Sequence, residues 1–111
     1  MGEFKGNRWY KCDFHLHTPA SECFMNKDVT PEQFIEKVKE EGLECIAVTD
    51  HNAISWIDKI RDCGRKEGVV VFPGVEITCS DSKVHLLILF DINTKVSDIE
   101  FFLRQSGIEP K

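Results

Sequence analysis

The residues of this chain best suited to chemistry are its four histidines, each at or near the point where an apolar run gives way to polar sequence. His15 and His17 stand in Asp13-Phe14-His15-Leu16-His17. On extended backbone, side chains two apart share a face, so both imidazoles can address one cation while Phe14 and Leu16 face the other way. Asp50 and His51 close the apolar run Ile46 to Val48, Glu76 stands between Val75 and Ile77, and His85 opens Val84 to Phe90. Taken singly, each has an ordinary explanation: a core or surface histidine, an Asp that caps the next helix, a buried Glu in a salt bridge. Their coincidence at four separate strand ends favours a polynuclear metal site. Mixed imidazole and carboxylate donors suit Zn, Mn or Fe. The five cysteines, Cys12, Cys23, Cys45, Cys63 and Cys79, contain no Cys-x-x-Cys pair, which argues against a structural zinc and against a disulfide framework.

The elements that must carry these side chains alternate between strand and helix, which predicts an α/β fold. Strands are expected over Lys11 to His15, Glu44 to Thr49, Val69 to Phe72 extending towards Ile77, and Val84 to Phe90. Several are nearly continuous apolar runs, the pattern of strands buried on both faces in a mainly parallel sheet. The connection Thr78 to Lys83 is short enough for a hairpin. The first helix is punctuated by Thr30 as cap, Pro31 at its first position, Gln33 to complete a capping box, and Gly42 as its stop. A second runs from about Ser55 to about Lys66, with Gly64 and Gly68 as stop signals and Trp56 packing on the core. A third is expected from Ser97, with a capping box from Glu100, to near Gly107.

Composition bounds the rest. In 111 residues, 41% are hydrophobic and 30% charged, which describes one small globular domain over residues 1–111. No apolar run approaches the ~20 residues needed to cross a bilayer, and Met1 to Tyr10 is polar, so the expected location is cytoplasmic and no membrane partner is expected. A net charge of -5 disfavours gripping a polyanion through the chain's own surface. The basic residues between Lys59 and Lys66 read as the solvated face of a helix.

At Asp13-Phe14-His15-Leu16-His17-Thr18, Val48-Thr49-Asp50-His51, Pro73-Gly74-Val75-Glu76 and Val84-His85-Leu86-Leu87, the sequence resembles the PHP (polymerase and histidinol phosphatase) family in both order and spacing. The resemblance implies a distorted (βα)7 barrel with two to three divalent ions in a complete site. It implies His15, His17, His51, Glu76 and His85 as ligands, with Glu76 bridging ions. Glu22, in Pro19-Ala20-Ser21-Glu22, falls where relatives often carry an Asp or His ligand. The stretches Arg8 to His15, Asn52 to Trp56 and Leu89 to Asp91 look closest to the amino-terminal segment of TrlF-type AAA-like ATPases. The likeness covers only about the first half of a usual PHP domain: relatives supply another His and an Asp-x-His motif from later strands, and no histidine follows His85 here.

The implied activity is hydrolysis of a phosphate ester, on a small molecule or a nucleic-acid end, by a metal-activated water, with Asp50 as the candidate catalytic group that orients a ligand or moves a proton. Two alternatives use the same ligands: a metal-dependent amidohydrolase, and a non-catalytic metal-binding module docked in an ATPase assembly. Four strands cannot close such a barrel, so association with a second copy or with an ATPase partner is a further expectation.

Overall fold

Strands and helices alternate through the computed structural model, which describes residues 9–21, 27–78 and 84–110. In chain order they are β1 (Cys12–Leu16), α1 (Pro31–Glu40), β2 (Cys45–Val48), α2 (Ile57–Glu67), β3 (Val70–Thr78), β4 (His85–Leu89) and α3 (Val96–Gln105). The sheet order is β1-β2-β3-β4, with β1, β2 and β3 parallel and β4 antiparallel to β3. The reversal at β4 is the hairpin expected from the short connection, with Thr78 opposite His85.

The α1 capping box forms as expected: the Gln33 N–H donates to Thr30 Oγ1 and the Thr30 N–H to Gln33 Oε1. Gly42, at φ 75°, turns the chain out of the helix in the left-handed region that glycine reaches most easily. Two other signals act differently. Gly64 does not stop α2 but lies inside it, because the helix crosses β3 there; a Cβ at Gly64 would meet Val71 Cγ2 at 2.7 Å and the Val69 carbonyl at 2.9 Å. The helix ends instead at Gly68. The Ser97 and Glu100 capping box does not form, since α3 begins one residue earlier, after Lys95, without a side-chain cap.

The main core lies between the sheet and the helices. Ile35 and Val38 of α1, Ile57 and Ile60 of α2, and Ile99 and Leu103 of α3 pack on Ile46, Val48, Val71 and Val75. Trp56 is partly buried against this core, as expected. Burial on both faces holds for β2 and most of β3 but not for β1 and β4, where Phe14, Leu86, Leu87 and Leu89 are exposed. The physical reason is that, among the described residues, the helices pack on one face of the sheet, so an outer strand has one shielded side while a middle strand is also flanked by its neighbours. Nor is the basic stretch of α2 wholly solvated. Arg61 is buried, donating to the Ile92 and Thr94 carbonyls at 3.3 and 2.5 Å and pairing with Asp58 at 2.7 Å, which ties the approach to α3 onto α2.

Candidate metal centre

All the histidines emerge at one end of the sheet. β1, β2 and β3 run parallel, so His15, His17, His51 and Glu76 come from their C-terminal halves or just beyond. β4 runs the other way, and therefore its first residue, His85, arrives at that same end. The alternation expected along β1 is broken by a register shift between Asp13 and Leu16. As a result Phe14 and Leu16 do not share a face: Leu16 packs on the core beneath the helices, while Phe14 stands edge-on to Phe72, ring centroids 6.1 Å apart. His15 and His17 nevertheless both reach the same carboxylate.

That carboxylate is Glu76, only 4% exposed. Its Oε1 lies 3.2 Å from His15 Nε2, 2.8 Å from His17 Nε2 and 3.2 Å from His51 Nε2, and its Oε2 lies 3.3 Å from His85 Nδ1. Burial by itself raises the Glu76 pKa, but the hydrogen bonds of His15 and His17 and the field of His51 outweigh it and hold the carboxyl below its ordinary range. Five donors thus form two sets that share one residue: His15, His17 and Glu76, and His51, His85 and Glu76, with the donor atoms of each set within 4.8 Å of one another.

The donor set fits divalent cations on geometry and on chemistry. Three imidazoles converge on Oε1, which is more than the lone pairs of one carboxylate oxygen comfortably satisfy. Donors bound to a common ion at ~2.1 Å and near-tetrahedral or octahedral angles lie ~3.0–3.4 Å apart, close to the separations seen here. The donors are nitrogen and oxygen, without a thiolate.

Asp50 sits behind this cluster. It is fully buried, and its carboxylate accepts from the Thr18 N–H at 2.6 Å, Thr18 Oγ1 at 2.5 Å and Ser21 Oγ at 2.7 Å. Ser21 Oγ accepts in turn from the His51 N–H at 3.2 Å. The chain after His17 and the chain at His51 are therefore braced through one carboxylate. Strand pairing continues through the same region: the Glu76 N–H donates to the Asp50 carbonyl at 3.0 Å and the Asn52 N–H to the Glu76 carbonyl at 3.1 Å. Asn52 adopts φ 47°, a left-handed turn that Asn tolerates better than most side chains. Gly74 keeps β4 close, since a Cβ there would meet the Ile88 carbonyl at 2.8 Å.

Of the residues singled out in the sequence, His15, His17, His51, Glu76 and His85 come together, and Asp50 stands behind them. Glu22 lies outside the described residues. The contributions of Thr18 and Ser21 were not anticipated; the available signal was two hydroxyl side chains directly after a His-x-His pair, near in the fold to a buried Asp.

Residues 13–100 match the model of the PHP domain. The chain belongs to the PHP domain family. Among curated relatives, the PolC-type DNA polymerase III of Oceanobacillus iheyensis is 34% identical over 74 residues, covering 67% of this chain and 5% of the polymerase. The phosphoribosyl 1,2-cyclic phosphate 1,2-diphosphodiesterase of Eggerthella lenta is 33% identical over 79 residues, covering 68% of this chain and 29% of that enzyme. Among solved structures, a two-domain protein of Bacteroides vulgatus containing a predicted PHP-like metal-dependent phosphoesterase superposes with a TM-score of 0.59 at 25% identity, covering 89% of this chain and 33% of that one. The chain thus spans less than a third of these curated relatives, and its curled sheet with helices on one side is part of a PHP barrel.

Proposed function

We propose that this chain forms the N-terminal, metal-binding half of a PHP-type hydrolase site that cleaves phosphate esters. The observation that carries the reading is the buried Glu76 with four imidazoles on its two oxygens. In this proposal His15 and His17 would hold one divalent ion and His51 and His85 a second, with Glu76 common to both sets and Glu22 a further ligand. Zn, Mn and Fe all suit the donors. Bound there, such ions would supply Lewis acidity towards phosphoryl oxygens and a water of lowered pKa.

The chain's own part is positioning. Buried Glu76 fixes the spacing of the two donor sets. Asp50, with both oxygens taken by Thr18 and Ser21, acts as a positioning group that holds the His17 and His51 backbones in relation to each other. With a net charge of -5 the protein surface offers no general attraction for a phosphate ester, so substrate binding falls to the cations and to the half-exposed mouth formed by His15 and His85. A small phosphate ester and a nucleic-acid end both fit an open mouth. No helix among the described residues is long and apolar enough to cross a membrane.

A second reading is favoured by the PolC-type relatives, in which the matching segment is about a twentieth of a much larger polymerase. There the same donors would serve a metal-binding module docked within a larger assembly, an ATPase being one candidate partner. Elemental analysis of chain purified without chelator tests the common ground. The expected result is stoichiometric Zn, Mn or Fe, lost in the His15→Ala, His17→Ala double variant; an absence of metal in the wild type would overturn both readings. Hydrolysis of bis(p-nitrophenyl) phosphate by the loaded wild type and not by the variant supports the hydrolase, and full metal occupancy without turnover supports the module.

A further inference from the structure

The Asp50 brace holds only while the turn from Thr18 to Ser21 keeps its shape. Two bonds within the turn set that shape: the Ser21 N–H donates to the Thr18 carbonyl at 2.9 Å and the Ala20 N–H to Thr18 Oγ1 at 3.2 Å. Pro19 occupies the second position, where its fixed φ suits a β-turn. Thr18 and Ser21 are fully buried. A buried carbonyl needs a donor as much as a buried hydroxyl needs a partner, and the Ser21 carbonyl receives one from outside the turn. The donor is the Lys27 ammonium, which also donates to the Pro19 carbonyl at 3.1 Å. Lys27 itself is exposed. One charged side chain at the surface thus fastens two carbonyls of the turn whose hydroxyls hold Asp50 and the His51 backbone.

We propose that Lys27 is a positioning residue of the metal centre, acting on His51 through Ser21. Ser21 is held from two sides: Lys27 binds its carbonyl, while its hydroxyl donates to Asp50 at 2.7 Å and accepts from the His51 N–H at 3.2 Å. Without the ammonium, the buried Ser21 carbonyl regains a partner only by turning towards water, and that rotation carries the hydroxyl away from the His51 N–H. His51 Nε2 stands 3.2 Å from Glu76 Oε1, so a shift of the His51 backbone opens the donor set that these two residues share with His85. The chemistry of the side chain suits the task. A hydrogen bond from an ammonium is stronger than one between neutral groups, and its three donors can serve two carbonyls at once. Because the Lys27 stem is exposed, the role lies in the charge and its bonds and not in packing. The effect on metal binding rests on the proposed reading of the centre; the hold on the turn does not.

Two variants and two readouts test this. Lys27→Met keeps the length of the side chain and removes its donors, whereas Lys27→Arg restores donors able to serve two carbonyls. Competition for Zn with a chromogenic chelator is expected to show affinity about 10-fold lower in Lys27→Met, with most of that loss recovered in Lys27→Arg. Hydrogen exchange of the metal-free proteins gives the second readout. The Ser21 and His51 amides are expected to lose protection in Lys27→Met, while the Val70 amide, bonded to the Glu44 carbonyl at 3.1 Å at the other end of the sheet, keeps it. Unchanged Zn affinity or unchanged His51 protection in Lys27→Met would overturn the proposal and leave the metal centre standing. Equal losses in the Met and Arg variants, or faster exchange at Val70 to match that at His51, would assign Lys27 to general stability and overturn it as well. A wild type that binds no Zn, Mn or Fe would remove the metal role together with the centre, and the exchange difference would then show the hold on the turn by itself.

Discussion

Replacing Asp50 by Asn changes one buried atom and puts the brace behind the metal centre under direct test. Asp50 accepts three hydrogen bonds, all from the turn that follows His17. Hydrogen bonds to a charged group contribute ~1.5–3 kcal/mol each. Asn retains one acceptor oxygen and turns an NH2 towards a hydroxyl that can rotate to accept, so the net loss corresponds to one or two of the three bonds, about 2–4 kcal/mol. At about 4–8 °C per kcal/mol for a domain of this size, the thermal midpoint should fall by roughly 10–25 °C. Metal affinity should fall as well, by about 10–100-fold, because the His17 and His51 backbones lose their common anchor. Chelator-treated protein in a urea titration gives the first quantity and competition with a chromogenic chelator the second. Should the Asn variant not fold, Ser21→Ala removes one of the bonds to Asp50 and the acceptor of the His51 N–H, and should cost about 1–3 kcal/mol with a smaller loss of affinity. A variant that loses less than ~0.5 kcal/mol, or that binds metal as the wild type does, would refute the brace.

Glu76→Gln should abolish stoichiometric metal binding, read by elemental analysis. Because the Glu76 carboxyl, despite its burial, is held below the ordinary carboxylate range in the fold by the His15 and His17 hydrogen bonds, its ionised form stabilises the metal-free protein above that range, and the contribution disappears as pH falls through the lowered pKa; urea titrations should show an acid-limb loss in wild type that is smaller in Glu76→Gln. Burial pushes the Cys45 thiol up to about 12, with the neighbouring Cys12 adding to the shift, so native-state alkylation at mildly alkaline pH followed by peptide mass mapping should label exposed Cys12 and spare Cys45. Gly64→Ala, although Ala is the better helix former, should destabilise the fold by about 1–3 kcal/mol in the same urea assay because its methyl overlaps β3.

What the sequence shows of this fold is what local physics decides. The α1 cap could be read directly because Thr30, Pro31 and Gln33 satisfy one another within a single turn. Gly64 misled because its absent side chain answers to Val69 and Val71 across the packing interface, and no neighbour in sequence reveals that. The α3 start missed for a related reason: Arg61, three residues before Gly64, holds the Ile92 and Thr94 carbonyls from another helix and so shapes the entry that Ser97 and Glu100 would otherwise have capped. The same arginine looked like part of a solvated basic face. A charged side chain whose guanidinium finds carbonyls 31 and 33 residues away leaves no local trace of its burial.

The candidate centre was more legible than the packing, and the reason lies in where its donors sit. Strand ends are the points at which an apolar run turns polar, so a histidine or carboxylate placed there stands out against its surroundings without knowledge of the tertiary fold. Which donor meets which is a different matter. His85 could share a carboxylate with His15 and His51 only if the strand it opens ran against its neighbours; in a fourth parallel strand the same residue would stand at the opposite end of the sheet, about five residues or ~16 Å away. The short connection after Thr78 makes that reversal, and Gly74, by admitting the backbone of β4 close to β3, sets its distance. A bulky residue at Gly74 therefore presses on β4, which carries His85, and on Thr49, two residues before His51: it should disturb the His51 and His85 donor set more than His15 and His17, so that Gly74→Val protein is expected to retain less metal than the wild type by elemental analysis.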